Sequence, residues 1–150
     1  YEHDIIGTTA RLNTVNAAIG RVQLRKLDEW NEKRRNIAKQ YNKLLSDVEG
    51  ILLPPTENGL TNPVYHLYVI RTERRDELKA YLEKNGIQCG IHYPVPIHLQ
   101  PVYRQLFGYK EGDFPASELV SRQVLSLPMF PDLQKADIEV ISEKIHEFFS

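Results

Sequence analysis

From Leu12 onward, apolar residues recur at Leu12, Val15, Ile19 and Val22, slip in phase to Leu27 and Trp30, and resume at Ile37, Tyr41, Leu44 and Val48. Spacings of three and four keep side chains on one helical face, so this pattern predicts a helix spanning residues 12–48. Asn13 is placed to cap its start and Gly50 to stop it, and Gly20 with the phase slip marks the expected bend. Ala17, Ala18 and Gly20 let another backbone come close, whereas "EWNEKRRNIAKQ" is studded with charge. The first half of the helix is therefore expected to lie against a surface outside this chain.

The pattern then changes. "LLPPTENGLTNP" is rich in turn formers and reads as a linker. In "VYHLYVIRT" β-branched and aromatic residues alternate, which predicts a strand with Val64, His66, Tyr68 and Ile70 on one face and Tyr65, Leu67 and Val69 on the other, both largely buried. "RRDELKAYLEKNG" reads as a helix capped by Thr72 and ended by Gly86, with Leu78, Tyr81 and Leu82 inward. "IQCGIHY" reads as a second strand, "LQPVYRQLF" as a short helix and "PASELVSRQVL" as another with Pro115 in its first turn. "SLPMF" reads as extended, and "KADIEVISEKIHEFF" as a terminal amphipathic helix with Ile138, Ile141, Ile145 and Phe148 on one stripe. This order predicts an α+β domain with a long N-terminal helix and a small, helix-covered β-sheet.

Composition narrows the function classes. The chain has 150 residues, 41% hydrophobic and 26% charged, enough for one sizeable core. Nineteen Lys plus Arg against twenty Asp plus Glu give a formal charge of −1, so no basic excess favours nucleic acid or an anionic membrane. Cys89 is the single cysteine, and no apolar run approaches a membrane span. A cytoplasmic protein is expected. The opening "YEHDIIG" resembles neither a methionine start nor a signal segment, which reads as a cut inside a longer protein.

Candidate chemistry concentrates in "GIHYPVPIHLQP" at 90–101. Pro94 and Pro96 each fix φ and remove a backbone donor, so the stretch cannot continue a helix or a central strand and must be a shaped connection. His92 and Tyr93 stand where strand gives way to this loop, and read either as site residues projecting into a cleft or as a structural turn. His92 and His98 lack the tight ligand pair and the third ligand that zinc requires, and His3, His66 and His146 sit in unrelated contexts, so no metal site is expected. Cys89, with no helix N-terminus or basic partner in view, reads as a core thiol. His66, inside a strand, reads as a core histidine. "GTTAR" at 7–11 offers two hydroxyls and an arginine ahead of a helix, suited to an anion but equally a routine helix start.

Three stretches, "RLNTVNAAIGRVQLRKLDEWNEKRRNIAKQYNKLL", "VYHLYVIRTERRDELKAYLEKNGIQCGIHYPVPIHLQPVY" and "GDFPASELVSRQVLSLPMFPDL", together resemble the C-terminal third of the DegT/DnrJ/StrS family of pyridoxal-phosphate-dependent sugar aminotransferases. The IHYP-x-P-x-H loop, the GDFP helix start and the SLP-x-FP segment occur in the family's order. The resemblance implies the C-terminal small domain of a fold-type-I aminotransferase. The lysine that holds the cofactor and its partner aspartate would lie upstream of Tyr1, so no catalytic residue is expected in this chain and by itself it is expected to be inactive. Residues 1–30 would form an interdomain and dimer-interface segment with the start of the long helix, and residues 31–150 the small domain. The family stretch G-x-N-x-R-L, which reaches the neighbouring subunit's cofactor phosphate, is matched by Gly7, Thr9, Arg11 and Leu12, with Thr9 in place of the asparagine. Asn13 and Asn16 likewise replace the usual Asp and Gln.

Thr9 and Arg11 are thus the implied cofactor-binding residues, with pyridoxal 5'-phosphate held mainly by a missing N-terminal domain. His92, Tyr93 and His98 are the implied substrate-binding residues, on the wall of the active-site cleft. The implied partners are a nucleotide-linked keto sugar, an amino-acid donor such as glutamate and a second subunit in a homodimer; the implied setting is cell-surface polysaccharide or related sugar biosynthesis. Two other readings are a regulatory or sensory member of the same fold without turnover, and a free-standing small-molecule-binding α+β domain.

Overall fold

The computed structural model describes residues 2, 7–56 and 60–150. The expectations for "YEHDIIG" and for the middle of the linker fall largely on residues 1, 3–6 and 57–59, including His3, and lie outside the described residues.

The long helix is two helices. α1 spans Thr14–Leu24 and α2 spans Leu27–Leu44. Asn13 caps α1 as expected, its Oδ1 accepting from Asn16 N–H at 2.8 Å. The break falls at Arg25–Lys26, the site of the phase slip, and not at Gly20, which stays helical with open space around it. α2 ends at Leu44, before Gly50, and the chain makes a further turn in which Val48 is buried. Gly50 then takes φ +92, the left-handed region that suits a residue without Cβ. His146 approaches the Leu44 carbonyl at 2.9 Å, and its ring N–H meets one of the acceptors that a helix end leaves open.

β1 is Tyr68–Arg71 and β2 is Val124–Leu127, antiparallel, with Tyr68 opposite Leu127 and Ile70 opposite Leu125. Leu52 bridges Arg71 on one side and Gly90 bridges Ser126 on the other, so four short segments lie side by side. The expected strand at 64–72 is thus shorter. Tyr65 has φ +49, and the Arg34 guanidinium donates to the Tyr65, His66 and Met129 carbonyls at 3.4, 3.2 and 3.1 Å, which satisfies those acceptors outside a ladder. His66 is consequently exposed, correcting its reading as a core histidine. The expected strand in "IQCGIHY" contracts to the single Gly90 bridge, and the helix expected over 115–125 stops at Gln123 because Val124 already pairs with Arg71.

α3 (Arg75–Lys84), α4 (Pro101–Phe107), α5 (Pro115–Gln123) and α6 (Lys135–Phe149) follow among the described residues, with a 3-10 turn at Ile97–Leu99. α6 packs on α2 and α3, and α3 on β2. One face of the sheet joins this core: Tyr68, Ile70, Leu125 and Leu127 are buried with Tyr41, Leu78, Leu82, Ile138, Ile141 and Ile145. Tyr41 stacks on Tyr68 with ring centroids 4.7 Å apart, and its hydroxyl donates to the Pro128 carbonyl at 3.1 Å. Because side chains alternate along a strand, Val124 and Ser126 point to the other face, toward the loop at 90–101. α1 contributes no buried residue, and Leu12, Val15, Ile19 and Val22 are all more than half exposed. The α+β expectation, with its small helix-covered sheet, holds.

Candidate substrate-binding site

The proline-fixed loop roofs a cavity of about 740 Å³ between β2, α4 and α5. Pro101 opens α4 and Gly108, at φ +70, closes it, so the chain returns along Tyr109 to Pro115, where α5 begins. That return places Tyr103, Phe107, Tyr109 and Phe114 around the cavity as a chain of ring contacts 5.5–6.0 Å apart.

His92, Tyr93 and His98 all line this cavity. His92 is exposed, and its Nδ1 lies 2.9 Å from Ser126 Oγ on β2. The ring folds back over Gly90, where an added Cβ would stand 2.5 Å from its Cε1. Tyr93 is 74% exposed and meets the His92 ring edge-on at 5.6 Å. His98 is different in kind, being 7% exposed, packed 4.8 Å from the Phe114 ring and bonded through Nε2 to Glu118 Oε1 at 2.9 Å.

Glu118 was not singled out in the sequence. It is as buried as its partner and accepts from the backbone N–H of Gly112 at 2.9 and 3.1 Å and of Phe114 at 3.4 Å. The hydrogen bond from His98, then those two N–H groups, hold its carboxyl below the usual carboxylate range against the opposing effect of burial. The one local signal was an acidic residue in the first turn of a Pro-initiated helix, a position that favours a carboxylate near free backbone donors. Nothing local announces a histidine partner.

Thr9 and Arg11 lie apart from this cavity. Both are exposed, ahead of α1, and among the described residues neither forms a hydrogen bond or ion pair. A hydroxyl and a guanidinium are both groups that can donate to a phosphate oxygen. Cys89 is partly buried, and burial pushes its thiol up to about 12, as expected of a core thiol. Among the described residues no three His, Cys, Asp or Glu side chains are grouped to hold a metal ion, and no helix is long and apolar enough to cross a membrane. Among the described residues, those lining the cavity include no lysine and no carboxylate.

The described residues thus form an α+β domain with an aromatic cavity under a histidine-bearing proline loop and an unburied N-terminal helix. Residues 1–146 match the DegT/DnrJ/EryC1/StrS aminotransferase family, and the chain belongs to it. It is 43% identical over 150 residues to the pleiotropic regulatory protein of Geobacillus stearothermophilus, covering 99% of this chain and 40% of that one. It is 42% identical over 148 residues to the dTDP-3-amino-3,4,6-trideoxy-alpha-D-glucose transaminase of Streptomyces venezuelae, covering 99% and 38%. Its fold matches the crystal structure of S. venezuelae DesV in complex with a ketimine intermediate with a TM-score of 0.92 at 41% identity, covering all of this chain and 40% of that one. The chain thus spans about two fifths of the length of these relatives.

Proposed function

We propose that this chain works as the C-terminal small domain of a longer pyridoxal-phosphate-dependent aminotransferase that moves an amino group, from a donor such as glutamate, onto a nucleotide-linked keto sugar. The observation that carries the reading is the cavity under residues 90–101, whose lining brings His92, Tyr93 and His98 together with aromatic rings. Such a surface takes a flat, partly apolar ligand bearing several hydrogen-bonding groups, as a nucleotide sugar does. Membership of the family, and the name of the S. venezuelae relative, support an amino sugar product.

In this reading residues 31–150 are the small domain, and residues 1–30 cross to the rest of the protein and to a second subunit of a homodimer. Thr9 and Arg11 hold the cofactor phosphate there, donating from a hydroxyl and a guanidinium. Pyridoxal phosphate, when bound, supplies the electron sink for the exchange of the amino group. His92 and Tyr93 orient the sugar-bearing ligand from the cleft wall, and the aromatic residues exclude water from its flat face. The 150-residue chain alone does not transaminate.

The test is made in the full-length protein. His92→Ala and His98→Ala lower kcat/KM by a factor corresponding to about 1–3 kcal/mol while the protein stays folded, and Tyr93→Phe does so more weakly. Unchanged kinetics with a lowered Tm would make the loop a rigid turn and remove the proposed role. The name of the Geobacillus relative favours a second reading, a regulatory protein of the same fold. Under it, the full-length protein binds ligand in this cavity without turning it over.

A further inference from the structure

We propose that Glu118 is the positioning residue of this cavity: it keeps the proton of their shared hydrogen bond on His98 Nε2, so that His98 Nδ1 faces the cavity as an acceptor for a hydrogen-bond donor of the ligand. The inference rests on the reading of the cavity as a nucleotide-sugar site, and assigns the tautomer that does the recognising.

An ionised carboxylate can only accept, so a 2.9 Å contact between Glu118 Oε1 and His98 Nε2 requires the hydrogen on the ring nitrogen. Glu118 is kept in that state by two further donors, the N–H groups of Gly112 and Phe114, which also fix where its oxygens lie. The carboxylate is thereby anchored to the start of α5, and it holds a ring from a loop that passes over the cavity. With Nε2 occupied, Nδ1 is the free nitrogen of His98, and no described residue bonds to it. Among the described residues the buried side-chain nitrogens and oxygens without a partner are Arg35 Nε and Gln40 Oε1, so Nδ1 keeps contact with solvent. His98 is only 7% exposed and lines the cavity, which is where the proposal places that contact. In the neutral ring Nδ1 accepts a hydrogen bond. Nucleotide-linked sugars carry matching donors in two places, the hexose hydroxyls and the imide N–H of a pyrimidine base.

Two measurements decide the matter. Ring 15N spectra of the labelled chain at a pH of about 8, where an ordinary histidine is neutral, read the tautomer directly, with His98→Gln assigning the signal. The expected result is a hydrogen on Nε2 in the wild type. In Glu118→Leu no acceptor remains for the Nε2 hydrogen, so the ring loses its fixed tautomer and a form with the hydrogen on Nδ1 appears. In the full-length protein, Kd for dTDP-glucose then weakens about tenfold in Glu118→Leu, the usual consequence of losing a fixed acceptor in a buried contact. An equal loss for dTDP alone places the ligand's donor on the nucleotide, and a loss confined to dTDP-glucose places it on the hexose. A wild-type ring with its hydrogen on Nδ1 overturns the proposal whether or not the variant folds. So does a variant whose tautomer does not change, or whose tautomer changes while both affinities stay the same. Wild-type protein that binds neither probe overturns the nucleotide-sugar reading, and with it the ligand half of this inference, while the ring spectra still decide whether Glu118 sets the tautomer.

Discussion

Single residues carry consequences that their type alone does not announce. Gly50 and Gly86 both have positive φ, +92 and +79. A Cβ at Gly86 meets nothing within 4 Å, whereas at Gly50 it would stand 2.9 Å from Phe149 Cε1. Gly86→Ala therefore costs the backbone term alone, about 1–2 kcal/mol, and Gly50→Ala costs more because Phe149 must also shift. Urea unfolding of both variants checks the order, and equal losses would mean that Phe149 packing at Gly50 contributes nothing. Glu118 sets a pH dependence. Its folded pKa lies below the ordinary 4.5, so the stability it adds is fully present above that value and is lost as pH falls through the lowered one. Glu118→Gln cannot titrate there, so the stability gap between wild type and variant narrows across that acid range. A gap that stays constant through acid unfolding would show the carboxylate to be uncoupled from folding.

At the scale of elements, the helices divide by what they bury. α2, α3 and α6 each place residues in the core, while α1 places none. α1 depends on local terms, chief among them the Asn13 cap. Asn13→Ala should cost about 1 kcal/mol, felt within α1 alone. Amide exchange over residues 14–24 then speeds by about fivefold, with Tm unchanged. A fall in global Tm would mean that α1 is docked. Helix types and most boundaries were legible in the sequence, because a 3.6-residue period is a property of consecutive residues. Strand lengths were not. The β-branched run at 64–72 promised a longer strand, but a strand exists only as far as another backbone pairs with it, and Arg34 had already taken the carbonyls of Tyr65 and His66.

For the whole molecule, the apolar face of α1 matters most. Leu12, Val15, Ile19 and Val22 are between 51% and 75% exposed, a stripe of the kind that marks an interaction surface. The 150-residue chain should self-associate through it, with sedimentation showing a mass that rises with concentration, and Ile19→Glu should restore a monomer. A clean wild-type monomer at high concentration would count against this face as an interface. The apolar spacing is helical on both sides of the phase slip before Leu27, but among the described residues only the part after Lys26 packs into the core. The amino-acid sequence by itself determined the α+β class, the helix starts at Asn13 and Pro115, the amphipathic α6 and the shaped loop at 90–101, because each follows from propensity, periodicity or the fixed φ of proline. Only the tertiary structure decided that His66 faces solvent, that Val124 and Ser126 turn toward the cavity, and that Glu118 in α5 is the buried partner of His98. Those outcomes depend on which distant backbone or side chain satisfies each polar group, and no local pattern carries that information.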